Sequence, residues 1–152
     1  MKRLLALSAL ATLFLAVPSI AQAPETGYWR AAGNTAKSIT GDVALNSQKI
    51  SINFHAYWIA QIRALTPAEL SAAFSADPGV GSGNLYRLSV PGDQRMQHKN
   101  TLCGGEDVQW LATYTNGRSL QLAFFSTSHM PVLTPDALTN ATNLCGVFEY
   151  ER

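Results

Sequence analysis

Val108-Gln109-Trp110-Leu111-Ala112-Thr113-Tyr114-Thr115-Asn116-Gly117-Arg118-Ser119-Leu120-Gln121-Leu122-Ala123-Phe124-Phe125 is the stretch whose reading decides the fold. Asn-Gly between two β-prone runs is the strongest short hairpin signal. With Asn116-Gly117 as the loop, Tyr114 faces Ser119, Ala112 faces Gln121 and Trp110 faces Ala123 on one side. Thr113/Leu120, Leu111/Leu122 and Gln109/Phe124 then fall on the other. Large apolar groups occur on both sides. A strand pair of that kind sits centrally, or is covered on both faces.

An earlier hairpin is read from Ser38 to Phe54. An Asn46-Ser47 loop pairs Val43 with Ile50, Gly41 with Ile52 and Ile39 with Phe54 on one apolar face, and leaves Asp42, Ser51, Thr40 and Asn53 on a polar one. Tyr57 to Leu65, Leu85 to Val90 and Val147 to Glu151 read as further strands, and Gly27 to Arg30 as the first. Thr66-Pro67-Ala68-Glu69 opens a helix: Thr66 is a natural N-cap, Pro67 suits the first helical position and Glu69 completes a capping box. Leu133-Thr134-Pro135 repeats that start. Asp77-Pro78-Gly79 ends the first helix, and Asp93 to Asp107 is polar and irregular.

The resulting fold class is α+β and mostly β. It is a bent antiparallel sheet or small β-barrel of seven or eight strands, with one or two short helices and one disulfide. The first architecture is a barrel with an apolar interior, of the kind lipocalins share; an open sheet wrapping one helix is the second.

The N-terminal end sets the compartment. Lys2 and Arg3 precede an unbroken apolar and small run from Leu4 to Val17, closed by Pro18 and followed by Ser19, Ala21 and Ala23. That is the layout of a signal peptide, and the run is shorter than the ~20 apolar residues a membrane span needs. Cleavage after Ala21 makes residues 1–21 the leader and 22–152 a single β-rich domain. Cleavage after Ala23 also satisfies the small-x-small rule, but places Pro24 first. The domain is therefore expected to be periplasmic or secreted, with no membrane span beyond the leader. All ten acidic residues, and all but Lys2 and Arg3 of the eleven Lys and Arg, lie beyond it. No basic patch results, which argues against nucleic acid and anionic membrane as partners.

Two cysteines, Cys103 and Cys145, are present in that domain. An even pair in an oxidising compartment reads as a disulfide, and neither cysteine has the spacing of a zinc site. Leu85-Tyr86-Arg87-Leu88-Ser89-Val90-Pro91, Asn100-Thr101-Leu102-Cys103-Gly104, Trp110 to Tyr114 and Leu144-Cys145-Gly146 together resemble small exported bacterial proteins of unknown function. The resemblance covers roughly the last two-thirds of the chain. It implies export and pairing of the cysteines, and brings no activity.

Hydrolase and nucleotide signatures are missing: there is no G-x-S-x-G, H-E-x-x-H, S-x-x-K or P-loop pattern. His98, Glu106 and Asp107 are the residues from which an alternative enzyme reading, hydrolytic or metal-dependent, would be built. Solvated loop residues are the plainer account, so no catalytic residue, metal or cofactor is assigned. If the phase of Phe54 carries on, Trp58, Ala60, Ile62 and Ala64 face inward, while His55, Tyr57, Ile59, Gln61 and Arg63 face out. His55, Tyr57 and Arg63 are then the candidate binding residues, on a stripe with the composition of a contact surface. The function expected is a non-enzymatic binding or inhibitor-like module for a protein or small apolar ligand.

Overall fold

The computed structural model describes residues 24–152. The expected leader and its cleavage point lie outside the described residues. Eight strands follow one another around a closed antiparallel barrel: β1 (Gly27–Ala31), β2 (Val43–Leu45), β3 (Lys49–Ile52), β4 (His55–Ala64), β5 (Asn84–Val90), β6 (Val108–Asn116), β7 (Ser119–Phe125) and β8 (Leu144–Glu151). Each strand pairs with the next, and β8 returns to β1 through Arg30 opposite Glu151 and Ala31 opposite Tyr150. Closure removes the exposed edges that an open sheet of this length would carry. Three short helices interrupt the meander: α1 (Asn34–Ile39), α2 (Pro67–Phe74) and α3 (Pro135–Thr139).

The interior is filled by side chains from the whole circumference. Trp29, Ile50, Leu111, Phe124, Phe148 and Tyr150 are all essentially inaccessible. Phe124 and Phe148 meet edge to face, with ring centres 5.4 Å apart. The irregular segment between β5 and β6 closes one end by inserting Met96 and Leu102 into the same core. A second core lies outside the barrel wall. Leu70 and Phe74 of α2 and Leu133 ahead of α3 pack there on Trp110, Tyr114 and Phe125. The β6–β7 hairpin is thus buried on both faces, as its composition demanded.

Both hairpins fold with a register two residues away from the sequence reading, which leaves the side chains of β2, β3, β6 and β7 on their expected faces, whereas Phe54, expected on the apolar face opposite Ile39, is exposed in the β3–β4 turn. Val43 pairs with Ile52 and Leu45 with Ile50. The loop widens to include Gln48 because the Asn46 Oδ1 accepts from the backbone N–H groups of Gln48 (2.9 Å) and Lys49 (2.8 Å). In the other hairpin Ser119 pairs with Asn116 rather than Tyr114, and Trp110 faces Phe125 rather than Ala123. Gly117, with φ of 59°, takes the first central position of the turn, where a type II′ loop calls for glycine.

Ser38 to Gly41, expected in the first hairpin, belongs instead to α1 and its end. Ala36 buries against the core, and the N–H groups of Thr40 and Gly41 both return to the Ala36 carbonyl. Gly41 adopts φ of 63°, the left-handed conformation that ends helices.

The phase of β4 is also reversed. Asn53 and Phe54 both take positive φ (47° and 67°) and form the tight β3–β4 turn, with Ile52 opposite His55. The alternation therefore restarts beyond the turn. Tyr57 and Ile59 point into the barrel, 9% and 6% exposed, whereas Trp58, Ala60 and Ile62 face outward.

The helix starts are as expected. The Thr66 hydroxyl accepts from Glu69 N–H, and the Glu69 carboxylate accepts from Thr66 N–H at 2.9 Å, a complete capping box. Thr134 caps α3 through its hydroxyl alone, which accepts from the Ala137 N–H at 3.4 Å. Cys103 and Cys145 are bonded, with Cα atoms 4.8 Å apart, and tie the β5–β6 segment to the start of β8.

Candidate functional site

The outside of the barrel is divided. Helices α2 and α3 cover β5–β7 and α2 reaches the end of β4 at Arg63; among the described residues neither covers the rest of the outer wall of β1–β4, which α1 borders through Lys37. Register places Tyr28, Ala44, Ser51 and Ala56 side by side across those four strands. The floor they form is small because three of the four are Ala or Ser. Larger side chains stand around it: Tyr28 is 60% exposed, Trp58 is 66% exposed and Phe54 is fully exposed at the β3–β4 turn. With Ile62 they make four of the seven exposed large apolar or aromatic side chains among the described residues. Isolated exposed apolar groups are ordinary, but a contiguous set on one face marks a contact surface.

A groove of about 450 Å³ opens on this wall, bordered by Tyr28 and Phe54 and floored by Ala44 and Ser51. Its rim is held from two sides. The Tyr28 hydroxyl donates to Asp42, whose other oxygen accepts from the Ala31 N–H at 2.9 Å. That hydrogen bond holds Asp42 below the usual carboxylate range and raises Tyr28 above the usual phenol range. On the opposite side, Gln97 reaches across Gly41. A Cβ at Gly41 would lie 2.0 Å from the Gln97 Nε2 and would push that flexible side chain aside, while the φ of 63° itself favours glycine. The Asn53 amide donates to the Arg95 carbonyl (3.4 Å), tying the β3–β4 turn to the β5–β6 segment. Lys49 places its ammonium 4.1 Å from the centre of the Trp58 ring.

The three candidate binding residues are not brought together. His55 is exposed at the start of β4, with its Nδ1 2.9 Å from the Asn53 carbonyl oxygen. Tyr57 lies in the core, and burial raises its hydroxyl's pKa. Arg63 is displaced by the register shift between Gln61 and Arg63: it pairs with Leu85, an outward residue, rather than continuing the inward row of Tyr57 and Ile59. There it binds both oxygens of Glu69.

His98, Glu106 and Asp107 form no metal-holding group, and there is none of three or more His, Cys, Asp or Glu among the described residues. Asp107 instead accepts from the Gly92 N–H at 2.8 Å and braces the loop. A buried acid that sequence reading missed, Glu25, accepts from the Asn84 amide and the Tyr86 hydroxyl. It anchors the chain ahead of β1. Among the described residues no helix is long and apolar enough to cross a membrane.

The surface Tyr28, Phe54 and Trp58 also went unread in the sequence. The side Trp58 faces is set by the turn at Asn53 and Phe54, which carries none of the Asn-Gly or Asp-Gly signature of such turns. No family model, curated protein or solved structure matches the chain.

Proposed function

We propose that this protein is a non-enzymatic, exported binding module whose contact face is the bare outer wall of β1–β4. The observation that carries the reading is the asymmetry of the barrel's exterior. One half is covered by the chain's own helices, and the other presents aromatic side chains over a floor of small residues. Enrichment in Tyr, Trp and Phe around a shallow recess is the composition of protein–protein contact cores. A protein is better supported as the ligand than a small apolar molecule, because Trp29, Phe124, Phe148 and Tyr150 already occupy the interior. Export is supported by the leader pattern of residues 1–21 and by the Cys103–Cys145 bridge, which is compatible with an oxidising compartment.

Site-specific photo-crosslinking in the native host tests this. A photoreactive phenylalanine analogue at Phe54 or Trp58 should give discrete adducts, and the same group at the exposed Val80 or Thr139 should give none. Adducts of equal yield from all four positions, or none from Phe54 and Trp58, would overturn the reading.

A further inference from the structure

Resting on that reading, we infer that the segment docking on the β1–β4 wall is an acidic stretch of polypeptide carrying a bulky apolar side chain, with that side chain in the groove between Tyr28 and Phe54.

The apolar half follows from the lining. Ala31, Ala44, Phe54 and the Tyr28 ring bring apolar surface to its lining. The polar groups present are largely engaged within the protein: Tyr28 with Asp42, Asp42 also with the Ala31 N–H, and Asn53 with the Arg95 carbonyl. A sugar ring needs several free planar donors and acceptors for its hydroxyls. An apolar side chain needs none, and gains from leaving water.

The acidic half follows from charge. Of the ten acidic residues, Asp42 alone lies on β1–β4 or the segment joining β1 to β2. Arg30 acts weakly on both Asp42 and Tyr28 and makes no ion pair with Asp42. Lys37 lines the groove and Lys49 lies over Trp58. These cations have no carboxylate on the wall to answer them. A segment with carboxylates flanking its anchor would pair with them, gaining on-rate and orientation.

The test uses isotope-labelled protein and defined peptides. One peptide has glutamates on both sides of a single phenylalanine, a second has lysines in their place, and a third keeps the glutamates but has alanine for phenylalanine. The first should shift the amide resonances of Ala44, Ser51 and Phe54, and its affinity should fall about tenfold between low and high salt as screening shortens the Debye length. The lysine and alanine peptides should bind at least about tenfold more weakly. In a Lys37→Glu/Lys49→Glu variant with an unchanged melting midpoint, the preference should reverse toward the lysine peptide. Equal binding of all three peptides, or no reversal, overturns the acidic assignment. If Phe54→Ala and Trp58→Ala still abolish binding in that case, the wall remains the contact face and only the partner's charge is wrong. If those variants bind as before, the reading of the wall fails too. Tighter binding of polygalacturonate than of the acidic peptide would make the ligand an anionic polysaccharide, and concentration-dependent dimerisation lost in Phe54→Ala would make it a second copy of the chain; either result overturns the inference.

Discussion

Arg63 and Glu69 join β4 to α2 through a two-pronged contact, Nη1 to Oε2 at 2.7 Å and Nη2 to Oε1 at 2.6 Å. The same carboxylate accepts from the Thr66 N–H at the helix start. One side chain therefore serves the cap and the strand-to-helix joint together.

That arrangement fixes a pH dependence. Arg63, first, and the Thr66 backbone pull Glu69 down from an ordinary 4.5 to about 2. A depressed carboxylate stabilises the fold above its unfolded pKa, and the gain is lost as pH falls from about 4.5 through about 2. The side chains are 36% and 19% exposed, so solvent screening reduces the full shift to about 1–2 kcal/mol. Glu69→Gln should be less stable by that amount at pH 7, and the gap should close near pH 2. Urea melts across that range measure it; a constant gap would show that the charge of Glu69 does not matter.

Thr66→Ala should cost about 1 kcal/mol through the lost side-chain cap. The denaturant midpoint should fall with the slope unchanged. An unmoved midpoint would mean that the Glu69 half of the capping box suffices.

Adjacent residues on β4 should respond in opposite ways. Tyr57→Ala removes a core ring and should cost about 3–5 kcal/mol. Trp58→Ala removes an exposed ring and, with it, the contact with the Lys49 ammonium, for a loss of about 1 kcal/mol or less. Thermal melts of the two variants decide which face of β4 is inside.

Replacing both Cys103 and Cys145 by serine should lower stability by about 4 kcal/mol in the chain-entropy account, given their separation of 42 residues. Hydrogen exchange should rise first in the β5–β6 segment, because the bridge holds the stretch that inserts Met96 and Leu102 into the barrel. Unchanged protection there would show that packing alone seats it.

Gly41→Ala should cost about 1–3 kcal/mol from the positive φ, and it displaces the Gln97 side chain. It should also weaken binding at the wall, because Gln97 forms part of the groove. Binding unchanged after correction for the folded fraction would remove Gln97 from the site.

Local chemistry by itself determined most of the strands, the two Thr-capped helices and the pairing of the cysteines, but not α1, whose end reads as strand. Alternation identified β6 and β7, and apolar groups on both of their sides required two cores. Thr66, Pro67 and Glu69 specify a helix start through atoms within three residues of one another, so no distant contact was needed to read it. Face assignment survived two errors of register because each was an even number of residues. Where the phase passed through a turn it did not survive. Asn53 and Phe54 carry positive φ, and the side on which β4 resumes depends on how that turn meets β3 and β5, not on any spacing along the chain. Arg63 faces outward as unbroken alternation had it, but only because the bulge between Gln61 and Arg63 restores the side that the β3–β4 turn had reversed, and that bulge is set by pairing with Leu85 and by the reach to Glu69. The candidate site lies beyond local reading for the same reason. Tyr28, Ala44, Ser51 and Ala56 are far apart in the chain and become one row only when β1–β4 pair, and the wall is bare only because α2 and α3 settle on the other side.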